Sequence, residues 1–251
     1  MLVFVAALRR ELAGIQQLLE VDRRTELGQA LAVEGRVNGL PVVLVQSGIG
    51  RERSVAATQA ALDRYKPASL LSVGFSGGLN PLVKGADVIV GERLESGDGG
   101  SFAPDARLYA EVTQAMETDL MPFHRGALVS MPEVMPGPKE KVALLVAHPR
   151  AKAVDMESYW VGVTAQAAQV PFLAVRTASD GPGQTLPNYE VFLDEMGEVK
   201  PLSAAWYYVS HPWHLSAAPG LAANASRGAK RLAAFVDLFF LRVYRGAAAL
   251  R

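Results

Sequence analysis

The sequence predicts an α/β fold in which helices cover both faces of a mostly parallel sheet. Apolar runs with little alternation, such as SLLSVGF (69–75) and VPFLAVRTAS (170–179), are typical of strands buried on both faces. Helical patterns separate these runs, and this order favours parallel pairing. At 251 residues, half of them hydrophobic, the chain fits one large domain with a substantial core, or at most two small ones.

The first elements are clear from their patterns. Residues 2–7 predict a short buried strand, and RRELAGIQQLLE (9–20) predicts an amphipathic helix after it. Asn38-Gly39 joins two alternating runs, which is a strong hairpin signal. Further strands are predicted at 69–75, 86–94, 124–130, 152–156 and 170–179, with helices at 54–67, 105–119, 138–147 and 156–169.

Composition excludes several classes of protein. Twenty-five basic residues balance 25 acidic ones, so the whole chain carries no charge signature for nucleic acid. The absence of cysteine excludes disulfides and thiolate metal sites, and the four histidines lack metal-ligand spacing. The N-terminus does not fit a signal peptide, so we expect a cytoplasmic protein. We also expect no metal and no other cofactor.

From residue 197 the composition changes, and we interpret 197–251 as a helical, basic and aromatic extension of the domain formed by 1–196. One apolar helical stripe consists of Leu232, Phe235, Val236, Phe239, Phe240 and Val243. Basic residues lie off this stripe: Arg227, Lys230, Arg231, Arg242 and Arg245. Packing on the domain or on a second subunit is the favoured interpretation, and contact with a membrane surface is the alternative.

GFSGG (74–78) matches the nucleophile motif of serine hydrolases, with Asp180 and either His211 or His214 completing the order Ser, Asp, His. No helix pattern follows Ser76, so this interpretation is disfavoured. The glycines would equally permit a tight turn or a close approach of backbone to ligand. SGIGRERS (47–54) is a second glycine turn before a helix, which suits a phosphate or sugar.

Carboxylates end two of the predicted strands. Asp155 and Glu157 flank Met156 where a buried strand becomes a helix, and such groups are costly to bury without a partner. Asp180 fits a turn or N-cap residue, but in a dry cleft its raised pKa would make it a proton donor. Since ligands of open α/β sheets bind at the carboxyl ends of the strands, a site is predicted there.

Five segments together resemble the purine nucleoside phosphorylase and nucleosidase superfamily: VFVAALRREL, SGIGRERSVAA, SVGFSGGLNPLVKGADVIV, AVDMES and VPFLAVRTASD. The resemblance covers about residues 1–185. It is strongest to the methylthioadenosine/adenosylhomocysteine nucleosidases and to the hopanoid-associated phosphorylase group. It implies a three-layer α/β/α fold, cleavage of an N-glycosidic bond and a purine nucleoside substrate. A homodimer is expected.

The resemblance also implies roles for single residues. Glu157 would accept hydrogen bonds from the ribose hydroxyls and Met156 would pack on the sugar. Asp155 is also predicted to bind the substrate, but its exact role is left open. Asp180 would protonate the purine base, and Glu11 would activate water. Ser76, Gly77, Ile49 and Ser179 are predicted to complete the substrate pocket.

Some positions depart from the family pattern. Ser72 stands where phosphorylases often have arginine, and this departure together with Glu11 favours water as the nucleophile. Arg51 and Arg53 could still bind phosphate, so phosphate stays an alternative nucleophile. Val134 and Met135 replace an aromatic residue beside adenine. A short segment 91–106 and the basic-aromatic extension resemble the hopanoid-associated group, and imply an adenosylhopane-type, lipid-linked substrate. The alternatives are a methylthioadenosine/adenosylhomocysteine nucleosidase, a purine nucleoside phosphorylase, or a nucleoside-binding protein without turnover.

Overall fold

The computed structural model describes residues 1–194, 196–212 and 218–244. Its strands are β1 (Leu2–Ala6), β2 (Glu20–Leu27), β3 (Ala30–Val37), β4 (Leu40–Gln46), β5 (Ser69–Gly78), β6 (Val88–Ser96), β7 (Ser101–Phe102), β8 (Phe123–Ser130), β9 (Ala151–Asp155) and β10 (Phe172–Asp180). Its α-helices are α1 (Arg9–Gln16), α2 (Arg51–Tyr65), α3 (Ala106–Thr118), α4 (Pro138–Ala147), α5 (Ser158–Ala167), α6 (Pro201–Ser210) and α7 (Ala218–Leu238). A 3-10 turn at Tyr189–Val191 and a π-helical segment at Phe239–Tyr244 complete the described part.

The strands form one mixed sheet in the order β10-β6-β8-β9-β5-β1-β4-β3-β2, with β7 added to β6. The pairs β1–β4, β1–β5, β5–β10, β6–β8 and β8–β9 are parallel. Because β10 also pairs with β5, the strands β5, β10, β6, β8 and β9 close on themselves. The predicted mixed α/β fold is confirmed.

The two faces of the sheet carry separate cores, which makes the three layers. Along β1, Leu2 and Phe4 point into a core shared with α1, α3 and α7. Val3 and Val5 point to the other face, into a core shared with α2 and α5. This alternation follows from the period of two along a strand.

The hairpin between β3 and β4 turns at Asn38 and Gly39, which have φ of 52° and 79°. These positive φ values suit an Asn-Gly turn, as the sequence predicted. The sequence did not predict β2, which extends the sheet as an exposed antiparallel edge rich in charged residues. Charged residues of this kind protect an edge strand from further pairing.

The apolar stripe of the C-terminal extension lies in the core. Leu232, Phe235 and Phe240 are fully buried, in the same cluster as Leu2 and Phe4. This burial agrees with the favoured interpretation, in which the stripe packs on the domain, and disagrees with the alternative, in which the stripe meets lipid. Arg245 of the basic set lies outside the described residues, while Arg242 binds Asp119 on the protein surface. In the described part of the chain, no helix has the length and apolarity needed to cross a bilayer.

Candidate active site

A solvent-open cleft of about 150 Å³ lies at the carboxyl ends of β1, β5, β9 and β10. This is the edge of the sheet at which a ligand site is expected. The lining residues come from six segments of the chain: Ala7, Leu8, Arg10 and Glu11; Ile49; Phe75, Ser76 and Gly77; Glu133, Val134 and Met135; Val154, Asp155, Met156 and Glu157; and Ser179, Asp180, Leu186, Tyr189 and Leu193.

Glu11 enters the cleft from the first turn of α1. Its Oε2 accepts a 2.7 Å hydrogen bond from the Leu8 amide, and its Oε1 accepts a 2.6 Å hydrogen bond from the Phe75 amide. Burial raises the pKa of this carboxyl, and the two amide donors partly oppose the effect. A Cβ on Gly74 would lie 2.7 Å from Oε1, so a side chain at position 74 would displace the Glu11 carboxyl. The carboxyl is thus held rigidly and is a weaker acid than an exposed glutamate.

Glu157 lies where β9 gives way to α5. Its Oε1 accepts a 2.8 Å hydrogen bond from the amide of Gly50, the residue before α2. Burial, and next the nearby charge of Asp155, raise the pKa of Glu157 to about 8. Gly50 has a φ of 93°, which glycine adopts readily, so the glycine turn presents its amide to this carboxyl.

Asp155 is bound by the protein itself. Its carboxylate accepts hydrogen bonds from the hydroxyls of Ser130 (2.6 Å) and Ser158, and from Nε of Arg176 at 2.7 Å. Arg176 also donates from Nη2 to Ser72 Oγ at 2.9 Å. Asp155 therefore anchors a buried network beneath Glu157, and its direct contact with substrate stays a prediction.

Asp180 ends β10 and is fully buried. Its Oδ1 accepts a 2.7 Å hydrogen bond from Ser179 Oγ, and its Oδ2 binds the ammonium group of Lys141. Burial raises the pKa of Asp180, while the Lys141 charge and hydrogen bond act in the opposite direction. Both carboxylate oxygens lie less than 4 Å from where a Cβ on Gly77 would stand.

The remaining predicted pocket residues divide into two groups. Seven line the cleft: Ile49, Ser76, Gly77, Val134, Met135, Met156 and Ser179. The two arginines proposed for phosphate do not belong to the lining. The guanidinium of Arg51 lies 3.7 Å from the ring centre of Trp160, where it makes a cation–π contact, and Arg53 lies two residues further along α2.

The serine hydrolase interpretation is wrong. Ser76 lies inside β5, which continues to Gly78, so no strand-to-helix turn exposes its hydroxyl. His211 contacts Ser210 and stacks on Tyr207 in α6. His214 lies outside the described residues. Across the described ranges, no group of three or more His, Asp or Glu side chains is placed to hold a metal ion.

Sequence reasoning missed Lys141 and Arg176, the two buried cations beside the site. Each had a signal. Arg176 interrupts the apolar run of β10, and a charge in such a strand needs a partner. Lys141 shares a helix face with Leu144, three residues further on, and that face of α4 is buried. The partner of neither residue can be read from the sequence.

Comparison with known protein families gives a match over most of the chain. The family model described as "Phosphorylase superfamily" matches residues 2–205. The chain belongs to the phosphorylase superfamily. The nucleoside phosphorylase/nucleosidase resemblance inferred from the motifs is thereby confirmed. The superfamily match spans the cleft and ends within α6, before α7.

Individual relatives of this superfamily member are distant. A 5'-methylthioadenosine/S-adenosylhomocysteine nucleosidase from Haemophilus influenzae is 26% identical over 206 residues, which cover 75% of this chain and 90% of the relative. The Neisseria meningitidis nucleosidase of the same name, solved with methylthio-immucillin-A, has a TM-score of 0.72 at 22% identity and covers 94% and 97% of the two chains. Futalosine hydrolase of Helicobacter pylori has a TM-score of 0.75 at 20% identity, covering 95% and 96%.

Proposed function

We propose that this protein is a purine nucleosidase that hydrolyses the N-glycosidic bond of a 5'-substituted adenosine and releases adenine. One observation carries the proposal: a single cleft gathers Glu11, Glu157 and Asp180, three carboxyls whose pKa values are raised. Perturbed acids in one cleft are the mark of a site for proton transfer. Curated relatives named as nucleosidases support the same reaction class.

The reaction assigns opposite tasks to two of these acids. As the bond from C1' to N9 breaks, its electron pair moves to the base, and Asp180 gives a proton to N7 of the leaving purine. Water attacks C1' while Glu11 accepts one of its protons, so that the 5'-substituted ribose and adenine are the products. A proton donor for the leaving group and a base for the nucleophile are the standard needs of such a bond cleavage.

Glu157 is the proposed sugar-binding residue. A carboxylate has several acceptor positions, so it can receive the paired hydroxyls of a ribose. Met156, beside it in the lining, offers an adaptable thioether to the apolar face of the sugar. Asp155 would then act from below, since its network with Arg176 holds the strand end that carries Glu157.

Water is the proposed acceptor in preference to phosphate. Arg51 is engaged with Trp160, and Ser72, in the position of a phosphorylase arginine, accepts a hydrogen bond from Arg176. Neither Arg51 nor Arg53 lines the cleft as described. A phosphorylase would need a cation beside C1' to bind phosphate. Because the two predicted arginines do not line the cleft, phosphorolysis is only the second candidate.

The proposed substrate is of the adenosylhopane type, in which the 5' substituent of the adenosine is a lipid. The cleft is lined by apolar side chains that include Leu8, Ile49, Leu186 and Leu193, and it opens to solvent. Among the described residues that line it, none comes from the short segment 91–106. An apolar, open 5' end suits a lipid-like substituent. A methylthioadenosine or adenosylhomocysteine nucleosidase, as the relatives are named, is the alternative.

The test is incubation of the purified protein with methylthioadenosine, adenosylhomocysteine and an adenosine carrying a long 5' alkyl chain, with and without phosphate. Free adenine and no acceleration by phosphate are expected, with the highest kcat/KM for the alkyl substrate. A sugar 1-phosphate product would establish a phosphorylase. Binding of all three compounds without base release would establish a nucleoside-binding protein instead.

The cytoplasmic location and the homodimer are also proposals. Gel filtration with light scattering tests the dimer, and a mass of one chain would contradict it.

A further inference from the structure

Lys141 is a fully buried lysine next to the proposed active site. It projects from α4, and its Nζ binds Oδ2 of Asp180 and donates a 2.9 Å hydrogen bond to the carbonyl oxygen of Gly181. Lysine is seldom buried completely, because removing an ammonium group from water costs several kcal/mol. Replacing a buried ion pair by apolar residues is often neutral or stabilising, so stability alone is a weak reason for this lysine.

Lys141 is placed to stabilise the negative charge of an ionised Asp180. Two cations, Arg176 and Lys141, are buried beneath the cleft, and each forms an ion pair. Arg176 is bound to Asp155, which leaves Lys141 as the ion-pair partner that the structure shows for Asp180. When Asp180 gives its proton to the base, its carboxylate stays in a nearly dry cleft beside other acids. A cation in contact with the newly formed carboxylate stabilises it.

We propose that Lys141 is a positioning residue for departure of the base: its ammonium group fixes the carboxyl of Asp180 and balances the negative charge left there after proton transfer. Because Lys141 holds Oδ2, Oδ1 is the oxygen offered to N7, beside the hydroxyl of Ser179. The proposal rests on the proposed function, in which Asp180 is the proton donor. Lys141 itself transfers no proton and touches no substrate.

The test uses Lys141→Gln, whose amide can still donate to Asp180 but has no charge. Asp180 must be protonated to act, so activity falls at high pH as it ionises. Without the cation, ionisation of Asp180 is harder, and the alkaline limb of the kcat profile moves up by about one pH unit or more. The plateau rate falls about tenfold, because a weaker acid is a poorer proton donor. The acid limb, set by Glu11, does not move.

The matched control is Lys139→Gln, an exposed lysine on the same helix, which should leave the profile unchanged. Lys141→Arg restores a cation and should return the alkaline limb towards that of the wild type. If Lys141→Gln does not fold, the profile is measured on Lys141→Met, which carries no polar group. An alkaline limb in the same place as in the wild type overturns the proposal.

A measurement without turnover separates this proposal from the proposed function. The infrared carbonyl band of a protonated Asp180, identified by its absence in Asp180→Asn, is followed through a pH titration. Its midpoint should lie higher in Lys141→Gln than in the wild type, whatever the substrate. An unchanged midpoint rejects the role of Lys141, whereas a wild-type protein that releases no base from any nucleoside rejects the proposed function alone.

Discussion

At the scale of single residues, burial weakens the acids of the cleft. Glu11, Glu157 and Asp180 each have burial as the largest cause of a raised pKa. The exposed carboxyl of Asp119 behaves differently, because the hydrogen bond from Arg242 lowers its pKa. The site thus keeps protons on carboxyls at pH values where surface acids have lost them, which is the property that proton donation to a base requires.

Replacement of Asp180 by asparagine should abolish base release while nucleoside binding survives. The amide keeps the shape but has no acidic proton, and loss of general acid catalysis costs roughly 10²–10⁴-fold in kcat. The variant should also melt at a lower temperature, because Lys141 loses its ion-pair partner. Single-turnover adenine release and calorimetric binding of methylthioadenosine measure the two effects. Asp63→Asn, on the exposed face of α2, is the control, and near-wild-type turnover in Asp180→Asn would remove Asp180 from the mechanism.

Glu157→Gln should stabilise the fold at alkaline pH. Because the pKa of Glu157 is raised to about 8, the folded protein holds a proton that the unfolded chain has released. Wild-type stability therefore falls as pH rises from about 4.5 to about 8, and this part of the loss is absent in the glutamine variant. Melting temperatures of both proteins across pH 4–9 should coincide at the acid end and diverge towards pH 8. Parallel curves would show that Glu157 ionises normally.

At the scale of elements, α7 and the π-helical segment after it act as a structural part of the sheet core. Phe239 and Phe240 contact Phe4 of β1, with ring centres 6.4 Å and 6.1 Å apart. The same segment exposes Leu241 and Arg242 on its outer side. The extension is amphipathic because one side completes the domain, and the basic residues are its solvated side.

Phe240→Ala should destabilise the protein by about 3–5 kcal/mol, since it empties a fully buried aromatic position. Leu241→Ala, one residue away and 51% exposed, should change the free energy of unfolding by less than about 0.5 kcal/mol. Urea unfolding of the two variants gives both values. Equal, small effects would mean that the segment does not pack on β1 in solution.

At the scale of the whole molecule, the extension and the catalytic part share one core. Residues of α7 belong to the same cluster as those of β1 and β5, so neither part has a complete core without the other. Residues 197–251 are thus better regarded as part of one domain than as an appended module. A separate, smaller cluster consists of Phe192, Leu193 and Tyr207 of α6, and its Leu193 lines the cleft.

Unfolding should accordingly be a single transition. Far-UV circular dichroism reports on the whole chain, while tryptophan fluorescence reports on Trp160 in the first part and on Trp206 and Trp213 in the extension, and the two urea midpoints should coincide. Midpoints that differ, with the fluorescence of the double variant Trp206→Phe/Trp213→Phe matching the more stable phase, would show that the extension unfolds separately.

The fold class, the hairpin at Asn38-Gly39 and most of the cleft lining could be predicted from the sequence. Periodicity and turn residues are local signals, and the polar ends of apolar strands meet at one edge of a parallel sheet. The resemblance of five motifs to one superfamily supplied the proposed roles of Glu11, Glu157 and Asp180.

The partner of each buried charge and the neighbour of each apolar face became visible in the folded structure. Lys141 is 39 residues from Asp180 and Arg176 is 21 residues from Asp155, and nothing local in the chain links them. The stripe on α7 was equally consistent with lipid or protein, because a periodic pattern identifies an apolar face without identifying its neighbour. Contacts between distant segments depend on how the elements pack, and packing is a property of the folded chain.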